Sequence, residues 1–331
     1  MTNTLTPHGP AAQPAGPDHD NTAPLEPAPG TPYQHLFREP DRRWWRPLAS
    51  LVLFGAFYLV FMVAFVILAG VLIIAGAPFV PDPEALLSGV APTGWGSVGV
   101  LLGLNLILAG LIPAVLLANR FAHRLPGGYT HSVAGRFRFG WFGIVAAVLV
   151  PVWAVYLAIG WAVDPLPFFT SVEPPLVTAA LILVCLLTTP LQAAGEEYFF
   201  RGWLLQNIGV AIPRPLVALV VPTIVSTILF SLAHGSLNPG IFISLAASSV
   251  AACWMTWRTG GLEAAVALHT VNNVAILVGQ ALLGVPLMTS MVSDASNASV
   301  LGAVMSIASS AIAVVLVELL ARRRSITPTR G

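Results

Sequence analysis

Apolar runs near 49–77, 97–119, 141–163, 176–200, 215–234, 240–257, 262–284 and 300–320 punctuate the chain. Each is close to the roughly 20 residues with which an α-helix crosses the hydrocarbon core of a bilayer. In lipid a spanning helix satisfies all of its backbone N–H and C=O groups within the segment. The predicted fold class is therefore an all-α membrane protein of about eight transmembrane helices. Composition agrees: 56% of the residues are hydrophobic and 9% charged, too little polar surface to coat a water-soluble globule of this length.

A net charge of +1 gives no basic footprint for nucleic acid, so the expected surroundings are the lipid bilayer, with no nucleic-acid partner. All 15 basic residues are arginine, and their placement orients the spans. Arg38, Arg42, Arg43 and Arg46 precede the first span, and Arg120, Arg124, Arg136 and Arg138 follow the second. Arg201 and Arg214 follow the fourth, Arg258 the sixth, and Arg322, Arg323 and Arg324 the eighth. The opposite loops carry Asp82, Glu84, Asp164, Glu173 and Asp294 and no arginine. Because short cytoplasmic loops hold the excess of basic residues, both termini are expected in the cytoplasm of a multi-pass cell-membrane protein. Residues 1 to about 36, rich in Pro, Ala, Gly, Thr and Asp, show no hydrophobic periodicity and read as a disordered tail. They lack the pattern of a cleaved secretory signal. Within them Asp18-His19-Asp20 reads as solvated chain. Cys185 and Cys253 fall inside apolar runs and read as small packing residues, not as a disulfide.

Charged groups at mid-bilayer cost at least about 2.5–3.5 kcal/mol, so those present need a reason. Glu196 and Glu197 end the fourth apolar run, and Arg201 lies four residues beyond Glu197, a spacing that permits an ion pair one helical turn apart. His8, His19, His35, His123 and His131 fall in the tail or in polar loops, but His234 and His269 lie within or at the edge of spans. Asn273 is one turn beyond His269 on the same face. Each feature has a plain reading: an interfacial ion pair ending a helix, or polar groups that join helices for about 1 kcal/mol. Together they supply a base, an orienting imidazole and electrophilic donors, the parts of a hydrolase. Burial makes a carboxylate a better base, and donors from His269 and Asn273 could hold an oxyanion. No serine or cysteine is paired with these groups by a motif, which leaves water as the nucleophile.

Glu196-Glu197-Tyr198-Phe199-Phe200-Arg201 fits EExxxR, Phe230 to His234 fits FxxxH, and His269 to Asn273 fits HxxxN, with Trp257-Arg258-Thr259-Gly260-Gly261-Leu262 before the last. In this order the motifs resemble the CPBP family of intramembrane proteases, which includes the type II CAAX prenyl endopeptidases and bacteriocin-related immunity and processing (ABI-like) proteins. The resemblance implies an eight-helix bundle with a polar cavity inside the membrane and glutamate-dependent hydrolysis of a membrane-associated protein or peptide substrate. It implies Glu196 as activator of water, His234 as its assistant, His269 and Asn273 as the oxyanion hole, and Glu197 and Arg201 as their support. No cofactor is expected. Zinc, often ascribed to such proteins, stays possible with imidazole and carboxylate ligands, although the spacing HExxH is absent. The chain then divides into a tail at 1–47, a three-helix membrane region at 48–175, a CPBP-like catalytic core at 176–285, and a last helix with a basic tail at 286–331. A non-catalytic immunity or scaffolding protein and a proton-coupled transporter are the alternatives that these residues leave open. Proline-rich, arginine-only composition points to a bacterium, where prenylated substrates are not expected.

One geometric demand follows. If the fourth span ran straight from 176 and the fifth from 215, Glu196 and His234 would lie about 25 Å apart at 1.5 Å per residue. Either the fifth begins nearer Pro222, or the fourth continues past Glu196 and bends. The second half of span four and residues 204–221 are expected to be irregular or partly interfacial, His269 to sit at about 12 Å depth, and Glu196 to lie about 3–6 Å from His234.

Overall fold

The computed structural model describes residues 26–38, 43–81, 84, 92–163, 173–235, 238–285 and 300–331. Its helices of eight residues or more are α1 (Arg46–Ile74), α2 (Trp95–Ala109), α3 (Leu111–His123), α4 (Phe139–Val163), α5 (Pro175–Glu197), α6 (Leu204–Ala211), α7 (Val217–Ala233), α8 (Pro239–Thr259), α9 (Glu263–Leu283) and α10 (Val300–Arg323). A π-helical segment, Tyr198–Trp203, joins α5 to α6. Among the described residues there is no strand, and two isolated bridges pair Pro32 with Thr329 and Ser132 with Gly261.

Among the described residues seven stretches are long and apolar enough to cross a membrane, and α7, with 17 residues, is a shorter apolar helix. These eight correspond to the eight apolar runs, with α2 and α3 forming one 29-residue stretch across Gly110. This is a multi-pass membrane protein. Helix α1 is apolar on every face, with Val52 and Val60 turned outward, the pattern of a helix whose surroundings are lipid. Local chemistry sets the helix ends. Asn238 Oδ1 accepts from the amides of Gly240 and Ile241 at 2.9 and 3.4 Å, and Pro239 follows it, the arrangement that starts a helix. Gly260, at φ 64°, ends α8 in the left-handed conformation that a side chain would resist.

Helix α9 lies at the centre, packed on α4, α5 and α8, while α5 also packs along α2. Its first residue, Glu263, is fully buried and takes Arg138 in three contacts, the backbone N at 2.8 Å, Nε at 2.9 Å and Nη2 at 2.7 Å. The segment before Arg138 is stitched to the α8–α9 turn through Val133 N to Gly260 O and Leu262 N to His131 O, at 2.8 and 2.9 Å. These bonds fix where α9 begins, and with it the placement of the polar groups six and ten residues along.

Gly195 lets α5 approach the α2–α3 joint. A Cβ there would stand 2.0 Å from Leu108 O and 3.3 Å from Ala109 Cα, so backbone would have to move. Gly195→Ala is expected to lower stability by about 1–3 kcal/mol as an overpacked site. Gly143→Ala, where nothing lies within 4 Å, should leave the thermal unfolding midpoint unchanged or raise it. Equal midpoints for the two variants would remove the argument.

Three sequence expectations need correction. Residues 33–37 fall in the stretch expected to be disordered, yet Tyr33, Leu36 and Phe37 are buried in the core with Tyr129, Trp203 and Leu262. Residues 1–25, with Asp18-His19-Asp20, lie outside the described residues. The buried segment is held at both flanks: Arg330 N donates to Thr31 O and Gly30 N to Arg330 O, at 3.0 and 2.8 Å. Residues 30–31 and Arg330 therefore meet at one end of the bundle. Second, His35 and His123, read as lying in the tail and in a polar loop, are buried, and His123 is the last residue of α3. His35 Nε2 meets Ile212 O at 3.0 Å, and burial holds its pKa below the ordinary value, so the ring is neutral and donates. The ring of His123 stacks on Phe37, and its Nε2 meets Asn207 Oδ1 at 2.9 Å. Third, residues 204–211 and 217–233 are regular helix, and the break is confined to 212–216. Cys185 and Cys253 are buried and free.

Candidate active site

The fourth span does continue past Glu196, to Ala211. It turns there through the π segment, a one-residue widening of the helix that is common at functional sites. The segment is supported from α7, where Ser226 Oγ donates to Phe200 O at 3.1 Å. It leaves Glu197 and Arg201 facing each other, with Arg201 Nη1 3.0 Å from Glu197 Oε1 and both side chains about 1% exposed. The guanidinium also sits over the Phe230 ring, 4.3 Å from its centroid, a cation–π contact.

Glu197 Oε1 is shared: His269 Nδ1 lies 2.8 Å from it. With that nitrogen engaged, His269 turns Nε2 toward Glu196, 3.7 Å from Oε2. Glu196 is held from its other oxygen by Gln192, whose Nε2 donates to Oε1 at 2.6 Å, while Asn273 Nδ2 donates to Gln192 Oε1 at 3.0 Å. One face of α5 thus meets one face of α9, and five polar side chains come together. Glu196, Glu197, His269, Asn273 and Arg201 are all brought to one place.

His234, which follows the last residue of α7, reaches the same region by a different route. Its Nδ1 meets Phe230 O at 2.7 Å, and its ring packs edge-on to Phe230. If Nδ1 donates to that carbonyl, the neutral ring presents Nε2 as an acceptor. Among the described residues no hydrogen bond or ion pair joins it to Glu196, and the imidazole that reaches Glu196 is His269. All six sequence-predicted site residues line one cavity of about 600 Å³, which continues into an apolar part bounded by Leu101, Leu104, Leu108 and Ile276.

Gln192, Asn272 and Trp153 also belong to this site and were not anticipated. Trp153 Nε1 donates to Asn272 Oδ1 at 2.8 Å, and Asn272 Nδ2 donates to Asn273 Oδ1 at 2.9 Å. Gln192 could have been found, because it precedes Glu196 by four residues and so shares its helical face. The Trp153 contact joins separate helices and has no local signal. A metal is not well served: among the described residues no group of three His, Cys, Asp and Glu side chains is placed to hold an ion. Both ring nitrogens of His269 face carboxylates, and Nδ1 of His234 is committed to a carbonyl.

Residues 178–275 match the model of a protein family described as type II CAAX prenyl endopeptidase Rce1-like. This stretch is similar to that family. It contains all six residues just placed around the cavity. The chain is also 31% identical over 176 residues to the uncharacterized protein YyaK of Bacillus subtilis (strain 168), an overlap of 49% of this chain and 55% of that protein. The chain thus spans about half the length of the curated relative it matches. No solved structure matches.

Proposed function

We propose that this protein is an intramembrane endopeptidase in which Glu196 activates water against a peptide bond of a membrane-associated substrate. The observation that carries the proposal is the meeting of Glu196, His269 and Asn273, all within the Rce1-like stretch, in one cavity. Glu196 Oε2 accepts no hydrogen bond among the described residues, so it is the oxygen available to take a proton from water. The water oxygen bonds to the peptide carbonyl carbon and the carbonyl oxygen gains the charge. Asn273 spends one amide hydrogen on Gln192 and keeps the second for that oxyanion. His269, engaged at Nδ1 by Glu197, donates from Nε2 when doubly protonated. His234 Nε2 orients the water. When the C–N bond breaks, the proton on Glu196 passes to the leaving nitrogen, and the carboxylate is restored. The donor set does not converge on a metal, and no step uses one. We place the end of the bundle where residues 30–31 meet Arg330 in the cytoplasm, by its arginines.

The test is cleavage in oxygen-18 water. The purified chain in liposomes is given a farnesylated C-terminal peptide and, in parallel, a transmembrane peptide library. The expected product carries one heavy oxygen at its new carboxylate. Unaltered peptides together with proton flux would support a transporter, and unaltered peptides without flux a binding protein.

A further inference from the structure

Between Trp153 and Glu196 the hydrogen bonds form an unbroken series in one direction. Trp153 Nε1 donates to Asn272, Asn272 to Asn273, Asn273 to Gln192 and Gln192 to Glu196, at 2.8, 2.9, 3.0 and 2.6 Å. The series crosses from α4 to α9 and then to α5. Its ends determine its sense. An indole N–H can only donate, and an ionised carboxylate can only accept. Reversing any of the three amides would set donor against donor or acceptor against acceptor at the joints it makes. Oxygen and nitrogen of an amide are otherwise hard to tell apart; here the two fixed ends assign all three.

From this geometry we infer that Gln192 and Trp153 are positioning residues for Glu196. Neither lies in the three motifs. The inference rests on the reading of Glu196 as the base. Gln192 holds Oε1 and turns Oε2 toward His269 Nε2, 3.7 Å away, so that one carboxylate oxygen takes up the proton. Trp153, nine-tenths or more buried, keeps Asn272 from turning, and so fixes the amide of Asn273 with its second hydrogen free. A carboxylate left to rotate would offer either oxygen and would blur the attack geometry, for which a displacement of about 1 Å can reduce the rate by about 10²-fold.

The experiment uses the full chain in nanodiscs and reads the infrared stretching band of the Glu196 carboxylate, identified by its disappearance in Glu196→Gln. Gln192→Leu and Trp153→Phe keep shape and remove one donor each. In both the band is expected to move, with the larger shift in Gln192→Leu. On a cleavable peptide kcat is expected to fall by up to about 10²-fold with KM unchanged. A band that stays in place in either variant overturns the inference, whatever happens to the rate. If the band moves as expected but the parent chain cleaves no peptide, the relay stands and the peptidase reading falls.

Discussion

Glu196→Gln is expected to reduce peptide cleavage by about 10²–10⁴-fold, the range for loss of a positioned general base, while leaving the protein folded. The substitution changes little besides basicity. The introduced amide keeps a side-chain oxygen where Gln192 Nε2 now donates at 2.6 Å, and it fills the same volume. It replaces Oε2, which accepts no hydrogen bond among the described residues, by an amide nitrogen that cannot take a proton from water. Single-turnover cleavage beside the thermal unfolding midpoint makes the check. A variant that cuts at the parental rate would dismiss Glu196 as the base. A variant that is inactive and also unfolded would be answered by Glu196→Asp, which keeps the charge but draws the carboxylate back by one methylene. It should still cleave, more slowly, because reach and not basicity is then the limit.

How far the sequence reveals this depends on the range of each interaction. The spans were legible because lipid imposes long apolar runs, and each run has its helix. The motif residues were legible because a charge or imidazole in an apolar run needs a partner, and several such partners were expected to meet. What lies between them was not. Glu263, at the start of the 262–284 run, drew no notice in the sequence, and the fold buries it against Arg138, 125 positions away. Tyr33, Leu36 and Phe37 sit in a Pro-rich stretch with too few apolar groups to fold alone, and become ordered on a surface made by other segments. The π segment has no periodic signature. Its effect was inferred only as one of two alternatives, a fourth span that passes beyond Glu196 and bends or a fifth that begins nearer Pro222, and the expected irregularity at 204–221 overstated the disturbance. A single widened turn is sufficient, since it redirects side chains without ending the helix.

Breaking the Arg201–Glu197 pair should cost more stability than any other single change at the site. Arg201→Leu leaves a carboxylate that is 1% exposed without its cation, and loss of one partner of a buried pair costs about 3–5 kcal/mol. The contact of the guanidinium with the Phe230 ring is lost as well. Thermal or denaturant unfolding in detergent should register the fall. The double variant Glu197→Leu with Arg201→Leu separates two roles. Two apolar side chains of suitable size can replace a buried ion pair with little penalty, so most of the stability is expected to return. Cleavage is expected to remain low, because His269 then has no carboxylate at Nδ1, where Glu197 Oε1 stands at 2.8 Å, and nothing fixes which nitrogen faces Glu196. Recovery of both stability and cleavage would make the pair a packing device. Recovery of stability alone makes it the group that orients the imidazole, with the arginine serving to keep that carboxylate ionised and in place.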